Sequence, residues 1–351
     1  AKSLGSDTII LEKGAYIGGT TLVSGGGAFI ANSKQMQAMG YDDPREERLK
    51  YMARYSWPHL YQPDHETLGL PQHDFDMISA YYDIGSVAID YLESVGAAKY
   101  GVQMIGGSVP PVPNVDYMDH FEEDIPKEAG TLATYDADGN LAGGGNMIGV
   151  YKAWADANGM EVRLGHRVVR VVLGDDGAVI GVEVEIADPT AAATPSATPA
   201  AAAVKTIKAK KGVIVGSGGL VRIESMMKHR MPAPHFMGCG APTNEGDFQR
   251  IAMALGAQQG NLHNVYRNEG VYEQGIADPS AYNCIWFHHG DSMLIVNGTG
   301  KRFHNERRNY QDRPMAHFDW DPNNGTWGNL LGYVIYDQRV AENWGGALPY
   351  P

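Results

Sequence analysis

An α/β fold in two parts is what this sequence predicts, and three observations carry the prediction. A short β-branched apolar run, Thr8–Leu11, closes on the acid Glu12. Glycines gather in clusters between apolar runs, at Gly18-Gly19, Gly25-Gly26-Gly27 and Gly143-Gly144-Gly145. Stretches with apolar residues at i, i+3 and i+4 are interspersed with short strand-like runs. The 351 residues leave room for two domains, at roughly 100–200 residues each.

Taken in order, the opening residues read as the end of a helix, a turn at Gly5-Ser6-Asp7, and a buried strand ending in Glu12. In a dinucleotide-binding βαβ unit, an acid at the end of the second strand accepts hydrogen bonds from a ribose hydroxyl. The other reading is a first strand that ends in a solvent-facing carboxylate. The glycine-rich GxGxxG turn of such a unit lies about 20 residues before its acid, yet only 11 residues precede Glu12. The expectation is therefore an internal fragment of a longer chain. Gly18-Gly19-Thr20-Thr21 and Ser24-Gly25-Gly26-Gly27 either bring backbone N–H groups close to a phosphate or flat ring, or form two tight turns.

Residues 43–100 read mostly as helices, and residues 101–142 as a loop rich in Pro and Gly. Gly143-Gly144-Gly145 opens a helix expected over Met147–Asn158, and a strand follows at Glu161–Leu164. The runs 168–172 and 179–186 alternate as paired strands with a turn at Gly174–Gly177. The low-complexity segment 187–203 should be a mobile tip without chemistry. A strand resumes over Lys205–Lys210 and leads to a buried strand at Val213–Val215, which ends in Gly216-Ser217-Gly218-Gly219. A helix is expected over 246–257, a strand–turn–strand over Met293–Glu306 and a buried strand over 330–337.

Composition excludes several classes. The 43% hydrophobic and 20% charged content rules out wholesale disorder. A net charge of -13 argues against a nucleic-acid surface. No apolar run reaches the roughly 20 residues of a membrane helix, and no signal peptide opens the chain, so the cytoplasm is the expected location. Cys239 and Cys284 show no CxxC or Cys/His ladder, have no identifiable partner and read as small packing residues. His229, His235 and the His288-His289 pair lack metal-ligand spacing, so no metal is expected.

The ordered motifs, from Leu11-Glu12 through the glycine clusters, Val213-Ile214-Val215-Gly216-Ser217-Gly218-Gly219, Asn244-Glu245-Gly246-Asp247 and Gly300-Lys301-Arg302-Phe303-His304-Asn305-Glu306, resemble the flavoprotein superfamily of soluble fumarate reductases and 3-ketosteroid dehydrogenases. The resemblance implies a Rossmann-type FAD-binding domain with a β-rich insertion over 1–259, lacking its first strand and GxGxxG turn. It implies that 260–351 begins a mixed α/β cap, or catalytic, domain. It places FAD against Glu12 at the adenosine ribose, Gly18, Gly19 and Thr20 at the pyrophosphate and ribityl chain, and Ser24, Gly25 and Gly26 beside the flavin ring. Val168 would hold the adenine through its backbone. Gly216, Gly218 and Gly219 would form a second nucleotide-side turn, with Asp247 in the family's Gly-Asp motif.

The branch turns on the residue four positions past Glu306, which is Tyr310, as in the steroid enzymes, and not the Arg of the fumarate reductases. Asn268 stands where the fumarate-type enzymes carry a substrate histidine, and Asp116-Tyr117 resembles the Asp-Tyr that the steroid branch carries in the loop before the glycine-rich helix. The resemblance thus implies an enzyme acting on a small-molecule substrate, with an external electron acceptor or donor. It would form or reduce a C=C bond beside a carbonyl, preferably in a 3-ketosteroid or similar cyclic ketone. Tyr310 would be the acid/base group and Tyr117 its assistant. An ene-reductase of the fumarate or urocanate type, acting on a small unsaturated acid, is an alternative. An inactive fragment or partner-completed subunit is another. The basic group Lys301, Arg302, Arg307, Arg308 and Arg313 is read as a solvated face or as partners of Glu306 and Asp312, or else Arg307 or Arg308 would be a clamp for an anionic enoate.

Overall fold

The computed structural model describes residues 1–104, 130–187, 203–231, 233–234, 238–260, 266–278, 284–286, 288–306, 308, 310, 312–347 and 349–350. The chain forms two compact units, Ala1–Gly165 and His166–Pro351.

In the first unit a short 3-10 turn, Lys2–Leu4, ends at Gly5, and the strand Ile9–Leu11 follows. This strand pairs in parallel with Glu161–Arg163, with Ile9 opposite Glu161 and Leu11 opposite Arg163. The Glu12 amide extends the ladder by donating to the Arg163 carbonyl at 2.9 Å. A parallel pair needs a long crossover, and here everything between residues 12 and 161 supplies it. The helices expected over 43–100 form at Arg45–Ser56 and Gln72–Ser94. Their inward faces gather Leu49, Ala53, Ile78 and Tyr82 around Ala31, Leu68 and Leu70.

The stretch 101–142, expected to be loop, is strand at both described ends. Ala28–Ile30, Gly130–Tyr135 and Tyr100–Val102 lie side by side in an antiparallel sheet, and Leu141–Ala142 pairs with Gly130–Tyr135. Burial of the middle of Gly130–Tyr135, where Leu132, Ala133 and Thr134 are all enclosed, explains the difference. Leu132 is fully buried against Ile30, Ile89 and Tyr100, a burial that the Pro- and Gly-rich composition of the stretch as a whole conceals. The helix after the glycines runs Gly144–Ala157, starting three residues before the expected Met147.

The second unit opens with three antiparallel strands, His166–Leu173, Val179–Ile186 and Ala203–Lys208. The third begins two residues earlier than expected, and the tip over 188–202 lies outside the described residues. The expected strand at Val213–Val215 is not formed. These residues run as irregular chain, and Ile214 is 92% exposed. An apolar run becomes a buried strand only where a neighbour completes its ladder, and among the described residues none pairs with it.

The helix expected over 246–257 forms at Asp247–Ala254. Met293–Val296 pairs antiparallel with Tyr333–Tyr336. The second arm expected after the Gly300 turn is a single bridge, Val296 to Arg302. Tyr333–Tyr336 is not a buried strand as expected: Tyr333 and Ile335 are exposed and alternate with half-buried neighbours, so one face of this two-stranded ribbon is open to solvent.

Candidate active site

Glu12 ends its strand half-buried, and its Oε1 accepts from the Gly14 amide at 2.6 Å. One bond leaves a carboxylate with capacity for another donor, so the position suits a ribose hydroxyl.

The glycine clusters at 25–27 and 143–145 pack on each other. The Gly144 amide donates to the Ser24 carbonyl at 2.9 Å, and Gly26 is buried there with φ +69°. A Cβ on Gly26 would stand 2.6 Å from the Gly144 nitrogen, and one on Gly18 2.7 Å from Ile148 Cγ1. Both are closer than real Cβ atoms approach. Gly18 and Gly26 are therefore glycine because backbone and helix press against them. Gly19 and Gly25 differ, since a Cβ there would meet nothing within 4 Å. Their open sides are where a flat or anionic group could come close to the chain. Thr20 is exposed. The Ser24 hydroxyl donates to the Thr21 carbonyl at 2.8 Å and accepts from the Gly26 amide at 3.1 Å, so Ser24 holds the turn in shape.

In the second unit Val168 lies opposite Val184 in the sheet, beside a bulge between Val168 and Arg170. Gly218 packs on the Asn244 side chain, and the Gly219 carbonyl accepts from the Gly246 amide at 2.8 Å. The 216–219 turn is thus docked on the start of the Asp247–Ala254 helix. Asp247 is buried and accepts from Arg167 at 2.7 Å and from Arg250. Its carboxylate ties the helix to the first strand of the sheet.

The segment 297–306 has a clear local logic. Asn297 Oδ1 accepts from the amides of Thr299 and Lys301, both at 3.0 Å, which closes the turn. Glu306 is buried, accepts from the Ile295 amide at 2.8 Å and pairs with Arg302. Burial pushes the Glu306 carboxyl up, but Arg302 and the Ile295 amide outweigh it and hold it below its ordinary range. Arg308 pairs with Asp312 at 3.2 Å, so Arg302 and Arg308 have the acidic partners that their positions suggested.

Tyr310 lies half-buried in an aromatic group, edge-on to Trp286 at 4.8 Å and to Tyr266 at 5.5 Å between ring centres. Tyr117 and Arg307 lie outside the described residues.

Two features escaped the sequence reading. Cys239 and Cys284 form a disulfide, which corrects the expectation that they are unpartnered packing residues. They stand 45 positions apart in the sequence, and no local pattern marks such a pair. The second feature is a buried cluster around Glu269. Its Oε2 accepts from His288 Nε2 at 2.8 Å and from Arg313 Nε at 2.9 Å, and its Oε1 faces His317 Nε2 at 3.2 Å. Burial works against this charge, but the bond from His288, the facing His317 ring and the charge of Arg313 hold the carboxyl well below its usual range. Separately, a cleft of about 850 Å³ is lined by His229, Arg230, Arg267, Phe303, Met315 and Phe318, pairing cations with apolar walls.

Residues 1–325 match the family described as "FAD binding domain". The chain belongs to this family. It is 24% identical over 98% of its length to a 4-oxocyclohexanecarboxylate 2-dehydrogenase of Sinomonas cyclohexanicum, covering 62% of that protein. It is 25% identical over 97% of its length to a 3-oxosteroid 1-dehydrogenase of Mycolicibacterium smegmatis, covering 65% of it. The chain thus spans less than two-thirds of the length of these relatives. Its fold is shared with a crystal structure of the 3-ketosteroid delta1-dehydrogenase of Sterolibacterium denitrificans, with a TM-score of 0.74 and 18% identity over 99% of this chain and 67% of that one. The cofactor of the family is FAD. The open sides of Gly19 and Gly25 and the strand-end carboxylate of Glu12 fit such a group. No described helix is long and apolar enough to cross a membrane.

Proposed function

We propose that the chain is the FAD-binding part, residues 1–259, and the start of the cap, residues 260–351, of an oxidoreductase that forms or reduces a C=C bond beside the carbonyl of a cyclic ketone. The observation that carries this reading is Tyr310 in its aromatic group with Trp286 and Tyr266, four residues beyond the anchored Glu306. A phenol there can take or return the proton on the carbon next to a ketone, while aromatic walls suit an apolar ring. Tyr117 would assist by hydrogen bonding to that phenol. The relatives named as acting on 3-oxosteroids and 4-oxocyclohexanecarboxylate support a cyclic ketone as the substrate class. Glu12 would hold the ribose, Gly18, Gly19 and Thr20 the pyrophosphate and ribityl chain, and Ser24, Gly25 and Gly26 the ring edge. Val168, Gly218, Gly219 and Asp247 would shape the adenine side. When bound, the flavin supplies the hydride acceptor or donor.

A second reading has its own observation. The cleft that combines Arg230, Arg267 and His229 with Phe303, Met315 and Phe318 suits a ring that carries a carboxylate. The test is an absorbance spectrum of the purified chain loaded with FAD, repeated after anaerobic addition of a 3-ketosteroid and, separately, of 4-oxocyclohexanecarboxylate. Bleaching by the steroid supports the favoured substrate. Bleaching by the carboxylate alone supports the second. In either case Tyr310→Phe should cut the bleaching rate by roughly 10²–10⁴-fold with the flavin still bound. Absence of bleaching by either ketone, or an unchanged rate in Tyr310→Phe, refutes the assignment. Failure to retain flavin supports a fragment completed by further chain or by a partner.

A further inference from the structure

The buried cluster around Glu269 is built from distant parts of the second unit and contains an unresolved pairing problem. His317 Nδ1 lies 3.2 Å from the Leu330 carbonyl. A carbonyl only accepts, so Nδ1 carries the hydrogen, and in the neutral ring Nε2 is then a bare acceptor. That acceptor faces another, Glu269 Oε1, at 3.2 Å. A positive centre belongs between them. His304 adds a second demand. Its side chain is 4% exposed, its Nδ1 stands 3.6 Å from the same Oε1, and neither ring nitrogen has a hydrogen-bond partner among the described residues. A proton on His317 would answer the first demand only, because 3.6 Å is too long for a hydrogen bond from His304.

The geometry points to a divalent transition-metal cation of the zinc type held by Glu269 Oε1, His304 Nδ1 and His317 Nε2. One ligand atom from each of these three residues lies within 4.8 Å of the other two. Ligand atoms about 2.0–2.2 Å from a tetrahedral metal stand roughly 3.3–3.5 Å apart, which the 3.2 and 3.6 Å separations match closely. Two imidazoles and a carboxylate favour zinc, cobalt or nickel over magnesium or calcium. The outer shell is in place as well. Oε2 is held by His288 and Arg313, and Arg313 is fixed in turn by the carbonyls of Arg308 and Ile285 at 2.9 and 3.0 Å. Such partners aim a ligating carboxylate. With three protein ligands the fourth position goes to water, and the charge of Arg313 makes the site weaker than a closed four-ligand one. His304 and His317 bracket Tyr310 in sequence, so the metal would pin both ends of the segment that carries it.

The chain, stripped with a chelator, would be titrated with Co²⁺ and followed by visible absorption, then with Zn²⁺ followed by elemental analysis after gel filtration. The expected result is about one metal per chain with an intense tetrahedral cobalt spectrum that zinc displaces. His304→Gln and His317→Gln should each weaken binding roughly tenfold or more, with His229→Gln as an unchanged control. Failure of the unsubstituted chain to retain either metal overturns the proposal without depending on any variant, and so does undiminished binding in both His304→Gln and His317→Gln.

Discussion

Gly25 and Gly26 are neighbours of identical chemistry, and the structure assigns them opposite sensitivities. Gly26→Ala places a methyl 2.5 Å from the Gly143 carbonyl carbon and 2.6 Å from the Gly144 nitrogen. Both are backbone atoms of the glycine run that opens a helix, so no side chain can swing aside. Overpacking costs about 1–3 kcal/mol, and the left-handed φ of +69° adds about 1–2 kcal/mol for a residue with a Cβ. The sum, about 2–5 kcal/mol, should lower the melting temperature of the flavin-free chain by roughly 4–20 °C at about 2–4 °C per kcal/mol. Gly25→Ala meets nothing within 4 Å and should leave that melt within about 2 °C. If the open side of Gly25 faces the flavin, the same methyl should weaken FAD binding at least tenfold, about 1.4 kcal/mol. The assay pairs thermal melts without flavin with fluorescence titration of FAD into each variant. A Gly26→Ala protein that melts like the parent, or a Gly25→Ala protein that binds FAD like the parent, refutes the division of roles.

Three other outcomes follow from the same geometry. Arg48 is fully buried, donates to Asp43 Oδ1 at 2.9 Å and lies over the Phe29 and Tyr51 rings. Asp43→Asn removes the carboxylate that faces this buried charge and should cost about 3–5 kcal/mol in urea unfolding, and a loss under 1 kcal/mol would contradict it. Glu306 has a folded value lowered by Arg302 and the Ile295 amide against its burial, so its contribution is complete above the unfolded value and is lost as pH falls through the folded one. The melting gap between the parent and Glu306→Gln should therefore be full above about pH 4.5 and close on acidification, whereas a gap that widens at low pH would reverse the sign. The Cys239–Cys284 bridge closes a loop of 45 residues' separation, which should stabilise by about 3–4 kcal/mol. The denatured chain should show no free thiol until reduced, and two titratable thiols before reduction would remove the bridge.

Local pattern determined much of this protein. The helices Arg45–Ser56, Gln72–Ser94 and Asp247–Ala254, and the hairpin from His166 to Ile186, follow from periodicity and turn chemistry, since each is decided within a dozen or so residues. The motif order alone pointed to the flavoprotein family that the match over residues 1–325 bears out. What the tertiary structure decided was everything that depends on a distant neighbour. Val213–Val215 has the composition of a buried strand but lies exposed for want of a pairing partner, while Gly130–Tyr135 gains strand structure because two partners flank it. Gly25 and Gly26 look alike until Gly143 and Gly144 are brought beside them. The Glu269 cluster draws on residues 269, 288, 304, 313 and 317 with no common spacing. A buried carboxylate selects its partners by distance in space, and a one-dimensional pattern carries no trace of that choice.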